Sequence, residues 1–159
     1  MKNTAIAKVF QDIADLLELK GENVFKIRAY QRAARAIEHL PREVEVILRE
    51  GGSLRDIPGV GEAIEKKISE LVSSSKLEYF ETLRAEFPPG ITTLLEVPGI
   101  GPKTAMRLTT ELGVNTIEDL EKALLDGRVA GLSRMGEKTA ENIKHALEAL
   151  RRKDQRIPI

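Results

Sequence analysis

The segment Ile57-Pro58-Gly59-Val60-Gly61 constrains this chain more than any other feature. A proline and two glycines one residue apart make a tight bend, and "EAIEKKI", a Lys-bearing stretch with helical apolar spacing, follows at once. The pattern returns as Val97-Pro98-Gly99-Ile100-Gly101 ahead of "PKTAMRL", and in weaker form as Leu132-Ser133-Arg134-Met135-Gly136 ahead of "EKTAENI". In register, Ile57, Val97 and Leu132 match, as do Val60, Ile100 and Met135, and so do Gly61, Gly101 and Gly136. Arg134 stands where Gly59 and Gly99 stand in the other copies. The apolar pair on either side of the first glycine can anchor a bend between two helices. The glycines permit positive φ and remove side chains that would hold a partner away.

The remaining pattern is helical throughout. Apolar residues recur at Ile6, Val9, Phe10, Ile13, Leu16 and Leu17, which predicts a helix over Asn3–Leu19, capped by Asn3 or Thr4 and closed by Gly21. A second helix is expected over Asn23–Leu40, with Val24, Ile27, Ala34 and Ile37 on its apolar face. A third would begin with Pro41 at its first position. A helix over Glu62–Val72, a break at "SSS" and a helix over Leu77–Phe87 follow, and the two prolines of Pro88-Pro89-Gly90 read as a linker. Beyond it lie a helix ending at Leu112 before Gly113, a capping box "TIED" from Thr116 with Asp in place of Glu, and a helix to about Asp126-Gly127. A long final helix from Gly136 to about Lys153 precedes an extended "RIPI" tail. No alternating run of strand length occurs. With aromatic content at 4% and no Trp, the core must be Leu, Ile, Val and Ala, which suits packed helices. The expected fold is all-α, as two small helical domains, 1–87 and 88–159, each built around one strong bend.

Composition excludes several function classes. There is no cysteine, so disulfides and thiolate metal sites are ruled out and a reducing compartment, the cytoplasm, is expected. His39 and His145 stand apart and read as helix-surface residues. No apolar run reaches membrane-spanning length, and the acids within the first apolar pattern do not suit a secretory signal. Twenty-five basic residues balance 25 acidic ones, so anion binding must come from local arrangement. Lys20, Lys26, Arg28, Arg32 and Arg35 form one basic stretch, and "RRKDQR" from Arg151 forms another.

The bends supply such an arrangement. The second glycine opens the next helix, whose first N–H groups lack intrahelical partners, and no Cβ keeps a phosphate away. Two such bends could hold a nucleic-acid backbone at two places without reading its sequence. Two other readings fit the same bends: a non-catalytic tandem scaffold that binds DNA with no preference for a 5′-phosphorylated gap, and a helical protein-interaction module that uses the turns only for packing.

These bends form the helix-hairpin-helix motif, and the surrounding sequence extends the likeness. "NTAIAKVFQDIADLLELKGENVFKIRAYQRAARAI" with "LRDIPGVGEAIEKKISELVSSSKLEYFETL" resembles the N-terminal lyase-type domain of family X DNA polymerases. "LLEVPGIGPKTAMRLTTELGVNTIEDL" with "MGEKTAENI" resembles the helical DNA-binding subdomain that follows it, in bacterial and archaeal members above all. In that family a palm domain with paired metal-binding aspartates comes next. No Asp-x-Asp occurs here, so the chain is expected to be a fragment without the polymerase site, and Mg²⁺ belongs only to the missing domain.

The resemblance implies monomeric binding of gapped, nicked or 5′-phosphorylated DNA, with no membrane partner. It also implies a 5′-deoxyribose-phosphate lyase reaction through a lysine Schiff base. Helical geometry chooses between the two adjacent lysines: at ~100° per residue Lys67 flanks the Ile64, Ile68 and Leu71 stripe, whereas Lys66 points nearly opposite. Lys67 is also the residue that aligns with the family's Schiff-base lysine. By the same alignment Lys26, Tyr30 and Arg55 would contact a 5′-phosphate. This chain departs from the animal repair polymerases at Phe25, where they carry histidine, and at Ala63, where they carry lysine. Gly59, Gly61, Gly99 and Gly101 would face DNA phosphates, supplemented by Lys103 and Arg107. A monovalent cation, K⁺ or Na⁺, would be held by the backbone carbonyls of Arg55, Ile57 and Val60 and by those of Leu95, Val97 and Ile100.

Overall fold

A computed structural model describes residues 1–155, and all regular structure among the described residues is helical. The chain divides into two compact units that part between Glu86 and Phe87. The basic stretch beginning at Arg151 falls only partly among the described residues, and the tail expected to be extended lies outside them.

The first unit contains α1 (Asn3–Lys20), α2 (Val24–Glu38), α3 (Val44–Arg49), a 3₁₀ turn (Leu54–Asp56), α4 (Glu62–Ser74) and α5 (Glu78–Arg84). α1 packs along α2 and touches α5. Its apolar spacing buries Ile6, Phe10, Ile13, Leu16 and Leu17, and Ile37, Leu54, Ile68, Leu71 and Leu77 from the other elements are buried in the same unit.

Several local expectations are corrected. Asn3 does not cap α1, whose N-cap is Lys2. Its side chain instead accepts from Val44 N at 2.8 Å, while Glu43 Oε2 accepts from Asn3 N at 2.7 Å. Two helix starts distant in sequence thus cap each other, which local pattern cannot reveal. α3 begins at Val44, three residues after Pro41. Val24 is 55% exposed rather than part of the α2 apolar face, because the helix begins there and the buried stripe starts at Ile27. α4 runs through Ser73 and Ser74, and the break is Ser75 at φ 62°. α5 is shorter than expected at both ends.

The second unit contains α6 (Ile91–Leu95), α7 (Pro102–Leu112), α8 (Ile117–Leu125) and α9 (Gly136–Gln155) around Ile91, Leu94, Val97, Leu108, Leu120 and Val129. Pro88-Pro89-Gly90 is not a free linker. Gly90 is buried as the N-cap of α6, and a Cβ there would stand 2.4 Å from the Cα and carbonyl oxygen of Asn115. At Thr116 the box is half formed. Thr116 Oγ1 accepts from Asp119 N at 3.0 Å, but Asp119 Oδ2 reaches the amide of Asn115 (3.2 Å), one residue before the cap. No described helix is long and apolar enough to cross a membrane.

Candidate nucleic-acid interface

The two strong bends have one backbone design. Gly59 and Gly99 adopt φ 89° and 88°, the left-handed region that an L side chain enters only with strain. In each, the amide two residues beyond the proline closes the turn: Val60 N donates to the Ile57 carbonyl at 3.0 Å, and Ile100 N to the Val97 carbonyl at 3.1 Å. Ile57, Val60, Val97 and Ile100 are buried and pin the bend to its unit's core, leaving Pro58, Gly59 and Gly61, and Pro98, Gly99 and Gly101, facing solvent.

Gly61 and Gly101 are N-caps in extended conformation, with φ −93° and −87°. Their carbonyls accept the first helical bonds, from Glu65 N and Ala105 N at 2.9 Å each. A Cβ at Gly61, Gly99 or Gly101 would meet no protein atom within 4 Å. At Gly59 it would meet Arg32 Cγ at 2.9 Å, so the stem of Arg32 from α2 borders the first bend. Sequence reading counted Arg32 only as local basic charge. For a cation, the carbonyls of Ile57 and Val97 each keep a second lone pair beyond the turn bond, and those of Val60 and Ile100 accept no backbone bond outside the helices. This neutral oxygen set fits a monovalent ion.

The third copy keeps the first half of the design only. Arg134 takes φ 65°, and Met135 N donates to the Leu132 carbonyl at 3.1 Å. Gly136, however, lies at φ 72°, so its register with Gly61 and Gly101 does not extend to the backbone. Arg107 is engaged within the protein: its guanidinium donates to the Ser133 carbonyl at 2.6 Å, to Ser133 Oγ at 3.3 Å and to Glu111 at 2.8 Å. It braces the third turn against α7. Lys103 stands exposed beside the second bend.

In the first unit, Lys66 is 77% exposed and pairs with Glu62 at 3.7 Å. Lys67 is half-buried, and its Nζ lies 5.0 Å from the ring centroid of Tyr79. Lys26, from α2, places its Nζ 5.6 Å from the same ring and 4.0 Å from Glu22. Tyr30 is buried between two aromatic neighbours, stacking on Phe10 at 5.9 Å and on Tyr79 at 6.0 Å. Burial first, then the neighbouring Tyr79 hydroxyl, holds the Tyr30 phenol above its ordinary range and therefore protonated. Arg55 pairs with Glu62 at 3.2 Å and Glu65 at 3.6 Å, so a phosphate would have to compete with two carboxylates for it. Phe25, next to Lys26, is 79% exposed. A groove of about 440 Å³ opens between α4 and α5, lined by Lys67, Glu70, Leu77, Tyr79 and Thr82 among others. The structure thus gathers Lys26, Tyr30 and Lys67 around Tyr79, which sequence reading missed. No periodicity marks Tyr79, and only the packing of α5 brings it there.

Comparison with known proteins agrees with these elements. Residues 1–77 match a helix-hairpin-helix domain model, and residues 91–149 match a SAM-like helix-hairpin-helix tandem. The chain is 35% identical over its whole length to the DNA polymerase/3′-5′ exonuclease PolX of Bacillus subtilis (strain 168), covering 27% of that protein. It is 34% identical over 135 residues, 82% of its length, to DNA polymerase lambda of Arabidopsis thaliana, covering 24% of that protein. A 72-residue stretch, 45% of the chain, is 39% identical to the UvrABC system protein C of Haloarcula marismortui, covering 11% of that protein. The chain therefore spans about a quarter of the polymerases it matches.

Proposed function

Because the chain belongs to the family X DNA polymerases, we propose that it is their N-terminal helix-hairpin-helix region and grips the sugar-phosphate backbone of gapped or nicked DNA without reading sequence. The observation that carries this reading is the pair of solvent-facing bends. At Gly61 and Gly101 no protein atom fills the space of a Cβ, so a phosphate oxygen can come within hydrogen-bond distance of helix-opening amides. The first unit takes the 5′-phosphorylated end and the second takes duplex. Lys103, exposed beside the second bend, adds a point charge. K⁺ or Na⁺ held by the hairpin carbonyls supplies positive charge next to the phosphate. The protein works as a cytoplasmic monomer, and nucleotidyl transfer with Mg²⁺ belongs to a palm domain of the longer polymerase.

Lys67 further fits 5′-deoxyribose-phosphate lyase chemistry. Its neutral amine attacks the C1′ aldehyde, water leaves and an imine forms. Removal of a C2′ proton then breaks the C3′–O bond, freeing a 5′-phosphorylated DNA end and leaving the sugar phosphate on the lysine until hydrolysis. Lys67 borders the α4–α5 groove with its ammonium on Tyr79, and Lys26 stands ready for the phosphate.

Titration of gapped duplex with and without the 5′-phosphate tests the binding claim. Tighter binding of the phosphorylated gap, weakening steeply with salt, is the expected result. Equal affinity for both would leave only a tandem scaffold, and no binding at low salt would leave a packing module. Borohydride trapping on an abasic 5′ end tests the chemistry: Lys67→Ala should lose the adduct and Lys66→Ala should keep it.

A further inference from the structure

We propose that Tyr79 is a positioning residue that seats Lys26 and Lys67 side by side, setting the spacing between a phosphate-binding cation and the amine nucleophile. The inference rests on the lyase reading above and deepens it.

The two lysines come from different helices, α2 and α4, and their like charges repel. No described ion pair ties Lys67 to a carboxylate, and Lys26 reaches Glu22 only at 4.0 Å. Both ammoniums instead lie over one aromatic ring, 5.6 and 5.0 Å from its centroid. The ring's quadrupole attracts each of them. The ring is itself fixed: Tyr79 lies parallel to Tyr30 within 8°, and Tyr30 stacks on Phe10, which is fully buried in the core of α1. A continuous aromatic stack therefore runs from the core to the two charges.

A ring suits this task better than a carboxylate would. A carboxylate would cancel one positive charge and compete with the incoming phosphate. A ring leaves the full charge of Lys26 for a dianion and holds Lys67 beside it until Lys67 loses its proton to become the neutral nucleophile. The substrate carries an aldehyde and a phosphate a few bonds apart, so an amine and a cation at fixed spacing is the arrangement that it needs. The groove beside Tyr79 gives access.

The test uses the whole chain and two probes. The first is gapped DNA with an abasic, 5′-phosphorylated end, trapped by borohydride under single-turnover, saturating conditions. The second is pyridoxal 5′-phosphate with borohydride, a small aldehyde that also bears a phosphate and needs no DNA. Tyr79→Leu should slow Lys67 adduct formation about tenfold with both probes, the loss expected of two partly exposed cation–π contacts. Its affinity for a gap that lacks the 5′-phosphate, which makes no use of the Lys26 seat, should change less than threefold. Tyr79→Phe and Tyr79→Trp, which keep the ring, should stay within threefold of the unmodified chain. Tyr79→Met, unbranched and longer, replaces Tyr79→Leu if helicity falls.

Unchanged adduct rates in the ring-less variants overturn the proposal, and so does an equal loss in Tyr79→Phe, which would assign the role to the hydroxyl. If the unmodified chain gives no DNA adduct but pyridoxal 5′-phosphate marks Lys67 in a ring-dependent way, the lyase reading fails and the seat stands. Absence of Lys67 labelling by either probe removes both.

Discussion

Replacing Gly61 and Gly101 by alanine separates the demands of the fold from those of a DNA phosphate. At Gly59 and Gly99 any side chain strains the bend, since φ is 89° and 88°, so loss of binding there would be ambiguous. Gly61 and Gly101 have φ of −93° and −87°, which alanine adopts freely, and a Cβ at either meets no protein atom within 4 Å. The fold should lose only the N-cap preference of glycine over alanine, about 0.5 kcal/mol per site. A phosphate drawn onto the helix-opening amides would meet the new methyl group. A hydrogen bond to a charged partner contributes about 1.5–3 kcal/mol, so losing one at each bend should weaken gapped-DNA binding roughly tenfold to a hundredfold per site. Fluorescence anisotropy against a labelled gapped duplex, at several salt concentrations, measures both affinity and slope. Thermal melts by circular dichroism establish that the fold is kept. The reasoning is refuted if the double variant Gly61→Ala, Gly101→Ala binds within twofold of the unmodified chain.

Arg134→Gly should stabilise the second unit by about 0.5–1 kcal/mol in thermal melts, since it relieves a left-handed arginine while adding some freedom to the unfolded chain. Gly90→Ala should destabilise the same unit by about 2 kcal/mol or more, because its Cβ would press on the Asn115 backbone; an unshifted melt would show that this approach relaxes easily. The Met1 ammonium, 2.7 Å from Glu45 Oε2 and hydrogen-bonded to it, lowers the Glu45 carboxyl below its usual value. A lowered folded value adds stability above the unfolded value of 4.5, lost as pH falls through the folded one. Melts of Glu45→Gln and the unmodified chain should therefore differ at neutral pH and converge in acid. Asp15 has the opposite sign. Desolvation, opposed by a hydrogen bond from Gln11, raises its carboxyl, so its contribution is greatest below the unfolded value and is lost as pH rises through the folded one. Asp15→Asn should raise the melting temperature at neutral pH and lose that advantage in acid.

What the sequence determined by itself is local. Each bend is written in five consecutive residues, and the apolar spacing of α1 and α4 needs only a helix to become a buried stripe. The same arithmetic placed Lys67 on the sheltered flank and Lys66 in solvent, because both angles follow from helix geometry alone. What tertiary structure decided is every relation between residues far apart in the chain. Asn3 caps α3 rather than its own helix, Arg107 is bound to the third turn, and Arg32 lies along the first bend. The Tyr79 ring gathers lysines from two other helices. A hydrophobic period fixes which face of a helix turns inward, but not which neighbour it meets there. That choice is made by the summed packing of the unit, and no short window of residues contains it.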